Sequence, residues 1–312
     1  MFNFNKLKVL FIGLGSIGVR HLKNLCAISN EYKFDLEIDA LRSSHRPLDD
    51  EILKLINNEY YSVDEIGNYD CIFIANPTNL HYETILHVQE KAKAFFVEKP
   101  LDSKFLSDEQ LNKIDFSKIF YVACPLRHTV VFKKLQEVLK NKKVYSARAL
   151  CSSYLPDWRK GVDYRKVYSA KAENGGIKVD LIHDFDYIFE LFGFPKENCI
   201  FEGKYSNLEI NSTDCVNYIG KYEDKIVNLY LDYFGKIPKR EIEIYMQDDV
   251  IIADFINSKI RINNKWIEYK EERNSYCINE IKYFFLLYNN KKENINDIQK
   301  ANIVLKTISG EK

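Results

Sequence analysis

The sequence predicts a two-domain α/β protein, with an N-terminal doubly wound parallel sheet followed by an α+β domain that has an open, mainly antiparallel sheet. The length of 312 residues favours two medium domains over a single large one. The first third alternates short apolar runs with amphipathic stretches, and from about Val144 this pattern gives way to hairpin-like strands. We place the domains at residues 1–122 and 123–312 and allow the last helix to pack back on the first domain.

The first domain is predicted to contain five parallel strands joined by right-handed helical crossovers. Two of the connections, residues 17–27 and 80–91, carry apolar side chains at helical spacing. The predicted strands lie at residues 8–12, 36–42, 69–75, 94–98 and 119–123.

The second domain is predicted from strands with two-residue alternation and short polar turns between them, which is typical of antiparallel sheets. One helix, residues 176–192, precedes most of these strands, and two helices at residues 279–288 and 296–308 end the chain. The predicted strands are residues 216–221, 225–233, 240–245, 250–255 and 259–262.

Composition excludes several classes of protein. With 46% hydrophobic and 29% charged residues, the chain is neither disordered nor fibrous in character. Basic and acidic residues balance at 45 each, so no net positive field attracts nucleic acid. Seven scattered cysteines without Cys-x-x-Cys pairs fit reduced thiols and indicate no metal site. No apolar run approaches the roughly 20 residues that span a bilayer, so we expect a cytoplasmic protein with no membrane partner.

A glycine-rich turn follows the first predicted strand and precedes a helix. In Gly13-Leu14-Gly15-Ser16-Ile17-Gly18, the first glycine permits the sharp turn, the second admits a pyrophosphate to the backbone, and the third lets helix and strand pack closely. The helix N-terminus supplies N–H groups and partial positive charge for the anion. Ordinary turns also use glycine, but the position within a βαβ unit predicts a dinucleotide site.

The end of the second predicted strand bears on which dinucleotide is bound. An acidic residue there would accept hydrogen bonds from the ribose 2′-hydroxyl, whereas this strand ends with Arg42, Ser43 and Ser44. A guanidinium and two hydroxyls suit a 2′-phosphate better, which favours NADP(H) over NAD(H). In the alternative, Arg42 is an exposed strand-end charge and Asp39 binds the ribose, although Asp39 precedes the strand end by several residues.

Two further groups of residues suit chemistry. Pro100 ends the fourth long strand and places Lys99 at the carboxyl edge of the sheet, where an ammonium could bind a reacting oxygen. On the helix at residues 176–192, Asp180 and His183 are three positions apart with Tyr187 nearby, so a carboxylate could orient an imidazole base. Taken alone, Glu98–Lys99 could be a solvated pair and the helix side a solvated face.

A connecting segment from Tyr154 to Ser169 is dense in aromatic residues and arginines. Aromatic faces stack on sugar rings and arginine forks bind carboxylates or phosphates, which predicts a substrate-covering loop. The alternative is an interface or core loop.

Four motifs occur in one order: Gly13-x-Gly15-x-x-Gly18, Ala75-Asn76-Pro77 with His81, Glu98-Lys99-Pro100, and Gly175-Gly176 followed by Asp180 and His183. Together they resemble the Gfo/Idh/MocA family of oxidoreductases over nearly the whole chain. The resemblance implies a Rossmann domain, a second domain whose open sheet forms homodimers or homotetramers, a tightly held NAD(P), and a sugar or polyol substrate. The aromatic loop is similar to that of a subgroup in surface-glycan biosynthesis, where substrates are nucleotide-activated or acidic sugars.

Carried across by motif, Lys99 matches the catalytic lysine, His183 the acid/base histidine and Asp180 its companion acid. These three are the predicted catalytic residues. The predicted cofactor-binding residues are Gly13, Gly15, Ser16, Ile17, Gly18, Arg42, Ser43, Ser44, Asn76, Pro77, His81, Glu98 and Lys99. The predicted substrate-binding residues are Arg127, Tyr154, Trp158, Arg159, Tyr164, Arg165, Asp180 and His183.

The resemblance implies reversible hydride transfer between a nicotinamide and a secondary alcohol or ketone of a sugar-type molecule. Two alternatives stay open at this point. One is a non-catalytic sensor or scaffold that keeps the dinucleotide as a regulatory ligand. The other is a reductase of a different small carbonyl compound on the same architecture.

Overall fold

The computed structural model describes residues 4–173 and 175–310. Within them the chain forms two compact units. The first comprises the residues up to Ala123 together with Cys277–Ile303, and the second comprises Cys124–Tyr276 and the residues from Val304 onward. The sequence-based division assigns residues 277–303 to the second domain, whereas in the structure they group with the first unit.

The first unit contains a six-stranded parallel sheet in the order β3-β2-β1-β4-β5-β6. The predicted doubly wound sheet is confirmed, with β3 as an additional edge strand that sequence patterning missed because it has only three residues and none of them is buried. The strands are β1 (Lys6–Ile12), β2 (Asp35–Leu41), β3 (Asn58–Tyr60), β4 (Cys71–Ile74), β5 (Ala94–Val97) and β6 (Ile119–Val122).

Helices connect these strands and complete both units. In the first unit, α1 follows β1 and is much longer than α2, α3 and α4. The helices are α1 (Ser16–Tyr32), α2 (Asp50–Leu53), α3 (His81–Val88), α4 (Asp108–Leu111), α5 (Val130–Leu139), α6 (Ile177–Asp180), α7 (Ile182–Phe192), α8 (Ser275–Tyr288) and α9 (Ile298–Ser309). Over the described ranges, no helix combines the length and the apolar character needed to cross a bilayer.

Aromatic side chains form the core of the first unit. Phe73 of β4 stacks on Phe11 at 4.7 Å and on Phe96 at 4.9 Å between ring centroids. Phe284 of α8 meets Phe73 and Phe96 edge-on, at 5.7 Å and 5.6 Å. Stacked and edge-to-face pairs at these distances add to the stabilisation that burial provides. The segment containing α8 is therefore part of the core of this unit.

The second unit contains an eight-stranded sheet in the order β14-β13-β12-β11-β7-β10-β9-β8. Only β7 and β10 pair in parallel, so the predicted mainly antiparallel sheet is confirmed. The sequence did not specify β7, β8 or β14. The strands are β7 (Val144–Tyr154), β8 (Glu197–Gly203), β9 (Cys215–Lys221), β10 (Ile226–Asp232), β11 (Phe234–Met246), β12 (Val250–Asp254), β13 (Lys259–Ile262) and β14 (Lys265–Glu268).

One face of this sheet is covered by α7. Phe185 and Phe189 of α7 meet Tyr218 of β9 edge-on, with centroids 5.4 Å and 5.9 Å apart. The prediction of one helix over residues 176–192 is wrong, because the chain leaves helical geometry at Leu181, with φ −98° and ψ 25°. This break separates α6 from α7, so Asp180 ends one helix and the following residues begin another.

Because Phe284 is fully buried between β-sheet aromatic residues, Phe284→Ala should lower the free energy of unfolding by about 3 to 5 kcal/mol. Phe116→Ala is the matched control, since Phe116 is 46% exposed and its truncation should change stability by less than about 1 kcal/mol. Denaturant titration followed by circular dichroism measures both. Equal losses for the two variants would contradict the assignment of α8 to the core of the first unit.

Candidate active site

The glycine-rich turn lies between β1 and α1 and is packed tightly on two sides. The N–H of Gly13 donates to the carbonyl of Leu41 at 3.1 Å. Gly13 has φ +89°, and a Cβ added there would lie 2.7 Å from the nitrogen of Asn76. A Cβ on Gly18 would lie 2.2 Å from the Gly13 oxygen, whereas a Cβ on Gly15 would meet nothing within 4 Å. The first and third glycines therefore permit packing, and the second borders open space that a pyrophosphate fits.

The predicted anion contacts at the start of α1 lie next to this open space. Ser16 and Ile17 are the first two residues of α1, whose first turn contains no acidic side chain. The positive end of this long helix dipole is therefore not offset by a carboxylate from its own first turn. This arrangement fits a bound phosphate group.

Asp39 is occupied within the sheet. Its side chain is fully buried and accepts hydrogen bonds from Nδ2 of Asn58 at 2.8 Å and from the hydroxyl of Tyr69 at 2.9 Å. Burial, together with the Asp39 charge, raises the pKa of Tyr69, so that phenol stays protonated as the donor. These contacts disfavour the alternative in which Asp39 binds the cofactor ribose.

Arg42 lies directly after β2 and is paired with a carboxylate that the sequence did not indicate. Its Nη1 donates to Oε2 and Oε1 of Glu59 at 3.0 Å and 3.2 Å. Glu59 is the middle residue of β3, and the brevity of that strand is the reason why this partner was missed. Ser43 and Ser44 follow and are exposed. Arg42 therefore lies beside the glycine-rich turn, but its charge is already partly neutralised.

The turn after β5 presents Lys99, and the neighbouring Glu98 is buried. Glu98 is 7% exposed, so the alternative of a solvated Glu98–Lys99 pair is wrong for this carboxylate. Its Oε1 is hydrogen-bonded to Nε2 of His21 on α1, and its Oε2 accepts the backbone N–H of Lys99 at 3.1 Å. The cofactor-binding role predicted for Glu98 stays a prediction, whereas its contacts show that it shapes this turn.

His81 fixes the same turn from another direction. Its Nδ1 lies 2.9 Å from the carbonyl oxygen of Pro100, and its Nε2 lies 2.9 Å from that of Asn76. Burial lowers the pKa of His81, although the two carbonyl oxygens favour the protonated ring. The amide of Asn76 donates to Thr84 at 2.8 Å, and Pro77 precedes a short 3-10 turn. The imidazole thus joins the segments that follow β4 and β5.

In the second unit, Asp180 is held by tyrosines. Asp180 is 5% exposed, and its Oδ2 accepts a hydrogen bond from the hydroxyl of Tyr233, while its charge also acts on the phenol of Tyr168. Burial and the Asp180 charge raise the pKa of both phenols. His183 is half-buried on α7. Tyr233 was missed as a site residue, although the predicted strand at residues 225–233 ends on it.

The single-helix geometry expected for Asp180, His183 and Tyr187 is not observed. Asp180 belongs to α6 and the other two residues to α7. Tyr187 is fully buried and packs on Phe255 with ring centroids 4.9 Å apart. Tyr187 is therefore a core residue of the second unit.

The aromatic loop forms a small, open surface pocket. Trp158 packs edge-on against Tyr233 at 5.3 Å, which connects the pocket wall to the partner of Asp180. The guanidinium of Arg159 lies 6.0 Å from the centre of the Tyr168 ring. The pocket is lined by Leu155, Pro156, Trp158, Arg159, Val162, Tyr164, Val167 and Ser169.

Two other predicted substrate-binding residues have partners of their own. Tyr154 ends β7, with the Lys236 ammonium 5.9 Å from its ring centre. Arg165 forms exposed ion pairs with Asp163 at 2.8 Å and Glu209 at 3.0 Å. These contacts do not use the pocket described above, and the substrate-binding role of both residues stays a prediction.

Arg127 is part of a buried ion-pair network. It is 6% exposed, and its Nε and Nη2 donate to Asp186 at 2.8 Å and 2.6 Å while Nη1 donates to Glu190 at 2.6 Å. A buried guanidinium requires such carboxylates because its desolvation is costly. The network fixes the segment before α5 to α7, and the substrate-binding role of Arg127 stays a prediction.

Comparison with known proteins supports the dinucleotide-binding character of the first unit. Residues 7–114 match the sequence model of the Gfo/Idh/MocA oxidoreductase family, described as having an NAD-binding Rossmann fold. The matched range contains the glycine-rich turn, Arg42, His81 and the turn that presents Lys99.

Curated relatives of the family match over part of their length. The myo-inositol 2-dehydrogenase of Thermotoga maritima is 29% identical over 206 residues, which cover 63% of this chain and 58% of that protein. The NAD⁺-dependent scyllo-inositol 2-dehydrogenase of Bacillus subtilis is 30% identical over 98 residues, covering 31% of this chain and 29% of that protein. The chain thus spans little more than half the length of the first curated relatives it matches.

Solved structures extend the likeness in fold to nearly the whole chain. An oxidoreductase from Thermotoga maritima superposes with a TM-score of 0.80 at 20% identity, covering 98% of this chain and 95% of the other. The WlbA dehydrogenase from Bordetella pertussis, solved with NADH and UDP-GlcNAcA, has a TM-score of 0.80 at 13% identity over 98% and 95% of the two chains. At these identities the comparison shows the fold.

The buried Glu98 should make stability depend on pH. Burial alone would raise the pKa of Glu98, but the hydrogen bond and charge of His21, with the Lys99 charge, hold that pKa below its ordinary 4.5. Ionised Glu98 therefore stabilises the fold above pH 4.5, and this contribution is lost as the pH falls through the lower, folded-state pKa. At pH 7, Glu98→Gln should be less stable than wild type by about 2 kcal/mol.

Thermal unfolding of wild type and Glu98→Gln between pH 7 and pH 3.5 measures this difference. The gap between the two melting temperatures should narrow as the pH decreases. Glu90→Gln, which alters an exposed carboxylate of the same unit, should track wild type at every pH. A gap that stays constant or widens in acid would show that the Glu98 charge does not stabilise the fold.

Proposed function

We propose that the chain is an NAD(P)-dependent dehydrogenase or reductase that transfers a hydride between the nicotinamide and a secondary alcohol or ketone of a sugar or polyol. The observation that carries the proposal is the turn after β5, which places Lys99 between two residues held by buried imidazoles. His21 holds the carboxylate of Glu98, and His81 holds the carbonyl of Pro100. Ligands of open parallel sheets bind at the carboxyl ends of the strands, which is where this turn lies. The match of residues 7–114 to the oxidoreductase family model and the similarity to inositol dehydrogenases support it.

The residues of this chain divide the chemistry among them. When bound, the nicotinamide supplies the hydride acceptor or donor at C4. Lys99 would donate a hydrogen bond to the reacting oxygen and stabilise its negative charge. His183 would accept the hydroxyl proton during oxidation and return it during reduction. Asp180, fixed by Tyr233, would supply the negative charge that favours a protonated His183 and helps to orient its ring.

We propose that the side chains around the small pocket of the aromatic loop contact a sugar-type substrate. Trp158 and Tyr164 provide ring faces for stacking, and Arg159 provides a cation for a carboxylate or phosphate. We propose a nucleotide-activated or acidic sugar of surface-glycan biosynthesis as the specific class. The presence of both aromatic and cationic groups in the same pocket supports this class over an uncharged polyol.

For the cofactor, we propose that Arg42 contacts the 2′-phosphate of NADP(H). The hydrogen bond from Gly13 to Leu41 places the end of β2 beside the phosphate-binding turn. Arg42 follows Leu41, and the exposed Ser43 and Ser44 offer hydroxyls at the same end. This cluster supports recognition of a phosphate at the adenosine ribose.

Lys99→Met and His183→Ala should each lower turnover by at least about a hundredfold, because each removes a group that acts on the reacting oxygen or its proton. Cofactor affinity should change by less than about threefold, since the glycine-rich turn provides most of that binding. Steady-state kinetics over a panel of polyols, sugar acids and nucleotide sugars, with either NAD⁺ or NADP⁺, measures turnover. Fluorescence titration with NADH and NADPH measures affinity.

Lys104→Met and His87→Ala are matched controls, because both replace exposed side chains of the first unit. They should retain wild-type turnover. Mass spectrometry of small molecules that co-purify with the wild-type protein identifies the dinucleotide independently of the panel. Turnover that persists in both Lys99→Met and His183→Ala would reject the catalytic roles, and a wild-type protein that binds neither dinucleotide would reject the function.

We further propose that the chain forms homodimers or homotetramers through the open face of the second sheet. Strand pairing places Phe201, Ile219 and Trp266 on the sheet face opposite α7. They are 61%, 37% and 42% exposed. Exposed apolar side chains spread across one sheet face are typical of an association surface.

The double variant Phe201→Glu/Ile219→Glu should shift the protein toward monomer, because like charges would then face each other across a two-fold interface. Light scattering coupled to size-exclusion chromatography measures the mass. Leu80→Glu is the control, because Leu80 is 44% exposed and lies in the first unit. This variant should leave the mass unchanged. A wild-type protein that is monomeric at micromolar concentration would contradict the proposed assembly.

A further inference from the structure

Arg42 and Glu59 form a pair that is sheltered from water. The two side chains are 9% and 24% exposed, and their strands are neighbours in the sheet, with Leu41 opposite Tyr60. The backbone N–H of Arg42 donates to the carbonyl of Tyr60 at 2.9 Å. Because both charges lie near the low-dielectric sheet edge, solvent screens them less than it would screen an exposed pair.

Neighbouring groups fix both members of the pair. The hydroxyl of Tyr61 donates to Oε2 of Glu59 at 2.8 Å, and the ring of Tyr61 packs at a tilt on His45 with centroids 3.8 Å apart. Nη2 of Arg42 donates to the carbonyl of Arg46. The carboxylate is therefore held in place beside the guanidinium by a phenol that is itself packed.

This pair lies where the two nicotinamide cofactors differ. In a Rossmann fold the end of the second strand is next to the ribose that carries either a 2′-hydroxyl or a 2′-phosphate. A phosphate drawn to Arg42 would have to share its nitrogens with Glu59, and the two anions would repel each other. A hydroxyl carries no charge and would experience no such repulsion.

We propose that Glu59 is a specificity-determining residue that limits the preference for a 2′-phosphorylated cofactor by competing for Arg42. The inference rests on the proposed dinucleotide-binding function and concerns the same site. With Glu59 present, Arg42 recognises the 2′-phosphate only against a fixed carboxylate. Neutralising that carboxylate releases the guanidinium for the phosphate.

Isothermal titration with two probes tests this role without any need for turnover. Adenosine 2′,5′-bisphosphate and adenosine 5′-monophosphate differ only in the 2′-phosphate. Glu59→Gln, which keeps the side-chain shape, should bind the bisphosphate about tenfold more tightly than wild type does, as expected for removing a like charge a few ångströms away. Affinity for the monophosphate should change by less than about twofold.

Three further variants make the result specific. Glu59→Ala should shift the bisphosphate affinity in the same direction, which excludes an effect peculiar to glutamine. Glu90→Gln removes an exposed carboxylate elsewhere in the first unit and should leave both affinities unchanged. In an Arg42→Ala background, Glu59→Gln should change the bisphosphate affinity much less than it does in the wild-type background, because the competition is for the guanidinium. Thermal unfolding checks that each variant is folded.

The possible outcomes separate the two proposals. An unchanged or smaller ratio of bisphosphate to monophosphate affinity in Glu59→Gln, while wild type binds both probes, would overturn the role of Glu59 and leave dinucleotide binding intact. A smaller ratio would show that Glu59 instead holds Arg42 in place for the phosphate. A wild-type protein that binds neither probe nor either dinucleotide would overturn the proposed function and this inference with it.

Discussion

The segment that presents Lys99 depends on two buried imidazoles. His21 comes from α1, the helix that begins at the phosphate-binding turn, and holds the side chain of Glu98. His81 comes from the start of α3 and holds the carbonyl of Pro100. A carboxylate this deeply buried requires a partner that can donate a hydrogen bond, since an unpaired charge there would be very unfavourable. The position of Lys99 is therefore determined by the same helix that would hold the cofactor pyrophosphate.

The second unit fixes its own carboxylate by similar means. Asp180 ends α6 immediately before the break at Leu181, so no continuing helix determines where its side chain points. Tyr233 supplies that constraint through its hydroxyl. Trp158 packs on the same tyrosine, and therefore the position of Asp180 and the wall of the aromatic pocket are coupled. A change in the aromatic loop would therefore alter the position of Asp180 through Tyr233.

Much of the architecture could be predicted from local pattern. The glycine-rich turn between an apolar strand and a helix, and Pro100 after β5, each report backbone geometry that is set within a few residues. Elements whose pattern is weak were missed: β3 has no buried residue, and β14 is exposed throughout. The break at Leu181 was missed because the apolar spacing continues across both α6 and α7. Periodicity reports which face is buried, and it does not report a local change in backbone angles.

The partners of charged residues could not be predicted, because they come from distant parts of the chain. Arg42 and Arg127 both suggest a ligand from sequence, and in the structure each is paired with carboxylates, Glu59 for one and Asp186 for the other. When a guanidinium is buried and loses its hydrating water, carboxylates of the protein must offset that desolvation cost before any ligand binds. Ligand binding at such a residue is then an exchange of one anion for another. The extent of burial decides how unfavourable that exchange is: Arg127 has two carboxylates on a packed helix, whereas Arg42 lies at a sheet edge beside a single, partly exposed one.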